Sequence, residues 1–118
     1  MVDNNPLSST VILITNEGMG KSNLDLQLKL AGIYLKLLVE NNYLPNAICF
    51  YTEGVKLVVN GSPVLDQLKQ LEQKGVSLII CSTCLNYFGL IDQVQVGITG
   101  GMADIIDAQA KGIKVITL

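Results

Sequence analysis

Two rhythms of apolar positions alternate along this chain. Short, nearly continuous apolar runs are separated by longer stretches in which leucines recur every three or four residues. The run from Thr10 to Thr15 is β-branched and ends at a glycine-bearing loop, which predicts a buried strand. Asn23 to Glu40 then carries the helical period. Leu26, Leu30, Ile33 and Leu37 define one apolar face, expected to cover the sheet. Leu24, Leu28, Ala31, Leu35 and Val39 form a second stripe, expected to meet a neighbouring helix or another subunit.

Ala47 to Tyr51 predicts a second strand with Cys49 inside it as a small core residue. The run "TEGVKLVVNGSP" fits either a short strand or a helical turn and is left unassigned. Ser62 as N-cap and Pro63 at the first helical position predict a helix whose Val64, Leu65, Leu68 and Leu71 face the core until Gly75. "VSLIIC" predicts a third strand, Cys84 to Phe88 a short helix, and "VGI" a short fourth strand. Met102 to Lys111 predicts a helix closed by Gly112, and "KVITL" a fifth strand. Alternating apolar strands and helices imply an α/β fold, a three-layer, Rossmann-like and mostly parallel sheet of about five strands. The expected organisation is an N-terminal tail over 1–9 and one domain over 10–118.

Composition narrows the function. The 118 residues suit one domain with one small site. Charged residues are 15%, against about 25% for soluble domains, so some apolar surface is expected to be buried by other subunits or by both helix layers. A net charge of -2 with scattered lysines offers no basic stripe for nucleic acid. No stretch reaches the length of a membrane span, and the start lacks the pattern of a secretory signal, so the reading is a cytoplasmic protein without membrane partners. Three cysteines, Cys49, Cys81 and Cys84, make no disulfide framework, and the absence of histidine removes Cys-His and Ser-His pairs and most zinc sites.

Two segments promise chemistry. In "TNEGMGKS", Gly20, Lys21 and Ser22 fit the end of a phosphate-binding loop, but Thr15 stands where its opening glycine belongs. No aspartate ends another strand to support Mg²⁺, so a flexible turn is the favoured reading. "GITGGMADI" is a second glycine-rich turn into a helix, weak evidence of an anion site. "CSTC" is sharper: Cys81 closes a strand and Cys84 falls in the first turn of a helix, where the dipole favours thiolate. Zinc would need further ligands from Cys49 or another chain, a thioredoxin-type pair would follow an earlier strand, and two inert buried cysteines remain an alternative.

The segments "CFYTEGV", "VSLIICSTCLNYFGL" and "KVITL" resemble the DsrE/TusD-like sulfur-relay family, most of all the DsrE-like domain of YedF-type proteins, called sulfurtransferase-like selenium metabolism proteins. The likeness runs from Thr10 to Leu118. By that resemblance Cys81, eight residues before Gly89, matches the persulfide-forming cysteine, and Cys84 matches the second cysteine of the YedF-like version. Three positions depart from the pattern: Ser82 and Gln27 replace glycines, and Gly100-Gly101 replaces an asparagine. The resemblance implies a sulfur, alternatively selenium, carrier or sulfurtransferase that forms a cysteine persulfide and needs no cofactor or metal. It further implies TusA-like donor or acceptor proteins and a homo-oligomer, a dimer or trimer. On this reading Cys81 attacks and Cys84 resolves or tunes it. A non-catalytic oligomeric interaction module with structural cysteines is the alternative.

Overall fold

A computed structural model describes residues 5–118. Strands β1 (Thr10–Ile14), β2 (Ala47–Phe50), β3 (Ser77–Cys81), β4 (Ile98–Gly100) and β5 (Lys114–Thr117) form one sheet. Their order is β4-β3-β2-β1-β5, and every neighbouring pair is parallel. The first three crossovers step the same way across the sheet and the last returns. Right-handed connections therefore put α1 (Leu24–Glu40), α2 (Leu65–Gln73) and α3 (Ser82–Phe88) on one face and α4 (Met102–Lys111) on the other. In keeping with this, α1 packs on α2 while α4 rests on β3 and β4. The three-layer α/β expectation holds. No helix among the described residues is long and apolar enough to cross a membrane.

The central strands are continuous apolar runs because both of their faces are covered. Val11, Ile12, Ile14, Ile48, Cys49 and Phe50 are fully buried, with Leu68, Leu71, Leu78 and Ile80 in the same core. Asn5 is tied to the segment before β2: its Nδ2 donates to the Leu44 carbonyl at 2.8 Å and the Leu44 N–H donates back to Asn5 Oδ1 at 2.9 Å.

Three expectations need correction, and one open segment is settled. The faces of α1 are exchanged. Gln27, Ala31, Leu35 and Leu38 are the buried positions, with Leu28 and Val39 packed beside them, whereas Leu26, Leu30, Ile33 and Leu37 stand 40–48% exposed. Leu24 of the other stripe is also exposed. Gln27 is bonded into the loop before α1, which fixes the rotation of the helix, and the small Ala31 lets it lie close on the sheet. Helix α2 begins at Leu65, because the Ser62 hydroxyl accepts the Val64 N–H at 3.3 Å and holds Ser62 to Val64 in a turn. "VGI" straddles a left-handed turn at Gly97, φ +84°, so β4 starts only at Ile98. The unassigned run after β2 is a 3-10 helix, Thr52–Val58.

Candidate functional site

Parallel register sets Phe50 beside Ile80, so β2 and β3 end side by side and their following segments share one corner of the sheet. After β2 the chain turns through Thr52, whose φ of +49° is left-handed. A β-branched residue there is strained by about 1–3 kcal/mol and persists only where its surroundings hold it. The Thr52 hydroxyl lies 2.5 Å from the Thr15 carbonyl oxygen and 2.7 Å from that of Tyr51, and donates into that pair. Two residues on, Gly54 crosses the end of β1 so closely that a Cβ would overlap the Ile14 carbonyl. This anchorage aims the Thr52 N–H at Cys84 Sγ, 3.1 Å away.

Cys81 ends β3 and is the N-cap of α3, with 2% of its surface exposed. Cys84, the third residue of α3, is partly buried and lines an open cavity of about 310 Å³ with Thr52, Glu53, Thr83, Tyr87 and Phe88. N-cap and N3 side chains converge across the first turn of a helix, which brings the two thiols within reach of each other. Burial pushes the Cys84 thiol above its ordinary value, the Thr52 N–H pulls it down, and the nearby Cys81 thiol pushes it up again. Burial thus outweighs the thiolate-favouring bond from the Thr52 N–H. Tyr87, 83% exposed, meets Phe88 edge to face at 5.2 Å. Lys56 lies 4.6 Å from the centre of the Phe88 ring and pairs with Glu53 at 2.5 Å, which raises its own pKa. Cys49 is elsewhere, inside β2, where burial pushes its thiol up to about 11. Among the described residues no three Cys, Asp or Glu side chains are grouped as metal ligands.

The other loop of interest, Thr15 to Ser22, is folded onto α1. Gln27, 7% exposed, donates from Nε2 to the Glu17 carbonyl at 3.0 Å and accepts the Ser22 N–H at Oε1 at 2.8 Å. Its main-chain carbonyl accepts the Met19 N–H at 3.0 Å, and Gly18 packs so tightly on it that a Cβ has no room. A second open cavity of about 600 Å³ adjoins Lys21, Ser22 and Leu118. Sequence reasoning thus placed Cys81 and Cys84 together, and missed Thr52. The positive φ of a threonine leaves no signature in a single sequence.

The fold and this corner define a Rossmann-like α/β domain with a thiol pair where the third strand runs into a short helix. The chain belongs to the DsrE/DsrF-like family, whose model matches residues 9–118. A search of curated protein sequences finds no significant match. Among solved structures the fold is similar to that of the YchN protein from E. coli, with a TM-score of 0.65, 20% identity, and coverage of 94% of this chain and 99% of that one. MTH1491 from Methanobacterium thermoautotrophicum, a protein of unknown function, gives 0.66 at 20% identity, with 94% and 99% covered. BT1422 from Bacteroides thetaiotaomicron, also of unknown function, gives 0.63 at 16% identity, with 93% and 95% covered. At these identities the likeness concerns the fold.

Proposed function

We propose that this DsrE/DsrF-like chain carries sulfane sulfur: a thiol of the Cys81 and Cys84 pair takes the outer sulfur of a donor persulfide and passes it to an acceptor thiol. The observation that supports this is the meeting of two thiols at the carboxyl end of β3, one of them facing an open cavity. A deprotonated sulfur forms a bond to the outer sulfur of the donor while the donor's own S–S bond breaks and leaves it as a thiol. Attack by an acceptor on the same outer sulfur completes the transfer. Neither step draws on a cofactor. The partners in this reading are proteins with reactive cysteines, TusA-like carriers among them, as the YedF-type resemblance implies. Selenium would travel by the same chemistry, and a reducing, cytoplasmic compartment would keep the thiols free. A donor labelled with sulfur-35 and quenched within the first turnover tests it. Thiol-releasable label is expected on the wild type and none on the double variant Cys81→Ser/Cys84→Ser. An unlabelled wild type, or a labelled double variant, overturns the reading.

One observation favours a second role beside it. Leu26, Leu30, Ile33 and Leu37 form a half-exposed stripe on α1, and covering what remains open of each would contribute about 1–2 kcal/mol. This supports a homo-oligomer, a dimer or trimer, built on that face. Light scattering should find an oligomer that Leu30→Glu/Ile33→Glu reduces to monomers. A monomeric wild type removes the interface. An oligomer whose cysteines take no label is the interaction module alone.

A further inference from the structure

We infer that the thiol pair discharges itself: a persulfide loaded on Cys84 is attacked by Cys81, sulfide leaves, and a Cys81–Cys84 disulfide remains. This order presupposes the carrier role proposed above and adds the fate of the sulfur when no acceptor is docked. It also reverses the roles that the family register alone would give the two cysteines.

Access decides which thiol is loaded. A donor persulfide is borne on another molecule, so it meets the thiol at the mouth of the cavity, and that thiol is Cys84. Cys81, almost wholly buried at the end of β3, does not line the cavity. Once Cys84 carries the extra sulfur, its own Sγ becomes the inner atom of the persulfide and stays where it was, within reach of Cys81. The outer sulfur projects into the cavity of about 310 Å³, which leaves it a way out.

Geometry also selects the partner. Residues three apart across one turn lie under about 7 Å between Cα atoms, which overlaps the roughly 4.4–6.8 Å that a disulfide spans. Cys49 is the remaining thiol. It pairs with Ile79 on the ladder, two residues before Cys81. Strand spacing and rise then put its Cα about 8 Å from that of Cys81, beyond a disulfide's range. The inner sulfur of a Cys84 persulfide is therefore the electrophile open to Cys81.

The step balances without an added oxidant. The Cys81 S–H and the Cys84 S–S–H give one disulfide and one hydrogen sulfide. The bond between the Cys81 and Cys84 sulfurs forms as the bond from Cys84 to the outer sulfur breaks. The two thiols supply two electrons to the sulfane sulfur, which departs with both protons. Return to the dithiol needs an external dithiol reductant. The chain would thus reduce persulfides to sulfide, in competition with an acceptor that takes the outer sulfur intact.

Glutathione persulfide as donor, followed by sulfide trapping and intact mass, tests this. The wild type should release one sulfide per chain with no reductant added, and finish two hydrogens lighter with a Cys81–Cys84 disulfide on peptide mapping. Cys81→Ser should hold one sulfur on Cys84 and release no sulfide, and Cys84→Ser should neither hold sulfur nor release it. Cys81→Ala, checked by its thermal melt, serves as second variant should serine in that buried position disturb folding. A wild type that keeps its added sulfur and releases none overturns the discharge while the carrier role stands. Loading of Cys84→Ser on Cys81 overturns the order alone. Absence of sulfur uptake in Cys81→Ser and Cys81→Ala, both folded, overturns loading on Cys84, and a wild type that neither takes up sulfur nor releases sulfide overturns the carrier role itself.

Discussion

The loop after β1 and the paired segments after β2 and β3 leave the same edge of the sheet, and both carry residues that promise chemistry in the sequence. Their internal bonding is opposite. In the first, polar groups close on one another: Gln27 holds Glu17, Met19 and Ser22, and Asn16 holds the N–H groups of Glu17 and Gly18. In the second, a strained Thr52 is held so that its N–H points at a sulfur, and that sulfur faces space. A glycine-lysine-serine run can therefore be a built turn. A site is better recognised by a reactive group that the surrounding structure supports but does not cover.

The largest way to break this contrast is Gly54→Ala. Its Cβ would overlap the Ile14 carbonyl, so the 3-10 helix would have to lift off β1, at a cost of about 3 kcal/mol or more. Gly20→Ala in the first loop meets nothing within 4 Å and bears only its left-handed φ of +74°, about 1–2 kcal/mol. Denaturant midpoints compare the two. Equal losses would mean that the segment after β2 is not pinned to β1. Next in size is Gln27→Ala, which removes three side-chain bonds that organise the first loop and should cost about 1–2 kcal/mol. Iodoacetamide labelling of Cys84 should not change in that variant. A changed rate would show that the two loops are coupled.

The layered parallel architecture was legible because strand and helix periods differ and because central strands read as unbroken apolar runs. The thiol pair was legible from spacing alone, since positions 81 and 84 fall at the junction of a strand and a helix. Orientation was not. The leucine-rich stripe of α1 looks like the core face, yet the helix turns inward the side bearing Gln27 and Ala31, because a buried side-chain amide and a small contact residue fix its rotation. Periodicity counts apolar residues and is blind to such a tie. The left-handed turns at Thr52 and Gly97 were hidden for a related reason, being set by what the neighbouring strand ends demand.

Thr52→Val gives a smaller, sharper test of the second corner. Losing the hydroxyl bonded to Thr15 should cost about 1 kcal/mol and loosen the N–H that faces Cys84. That N–H lowers the Cys84 pKa against burial, so its loss should raise it further. In the wild type, the Cys84 alkylation rate should still be climbing above pH 9.0, the thiol's ordinary value, and in the variant the profile should move to higher pH. The sign carries over to stability. A thiol whose folded value is raised contributes stability that is full below the unfolded value and is lost as pH rises through the folded one. Cys84 therefore adds to loss of stability on the alkaline side and to none on the acid side. An unmoved profile in Thr52→Val would mean that the strained residue serves folding alone.

The smallest expected effect is none at all: millimolar Mg-ATP should leave the melting temperature unchanged. A phosphate loop works by turning successive backbone N–H groups toward the phosphate oxygens. Here the N–H of Glu17 goes to Asn16 Oδ1 at 3.0 Å and that of Gly18 to the Asn16 carbonyl at 2.8 Å. Those of Met19 and Ser22 go to Gln27 at 3.0 and 2.8 Å. To bind phosphate the loop would have to break these bonds and displace a glutamine that is almost wholly buried. Lys21 is exposed, and salt screens the attraction of such a cation for an anion. A ligand at a hundredfold excess over its Kd would stabilise the fold by about 2.7 kcal/mol, well within what a thermal melt detects. A clear upward shift would show that the first loop opens and is a second site. A flat melt in the wild type and an upward shift in Gln27→Ala would show that this one side chain keeps it closed.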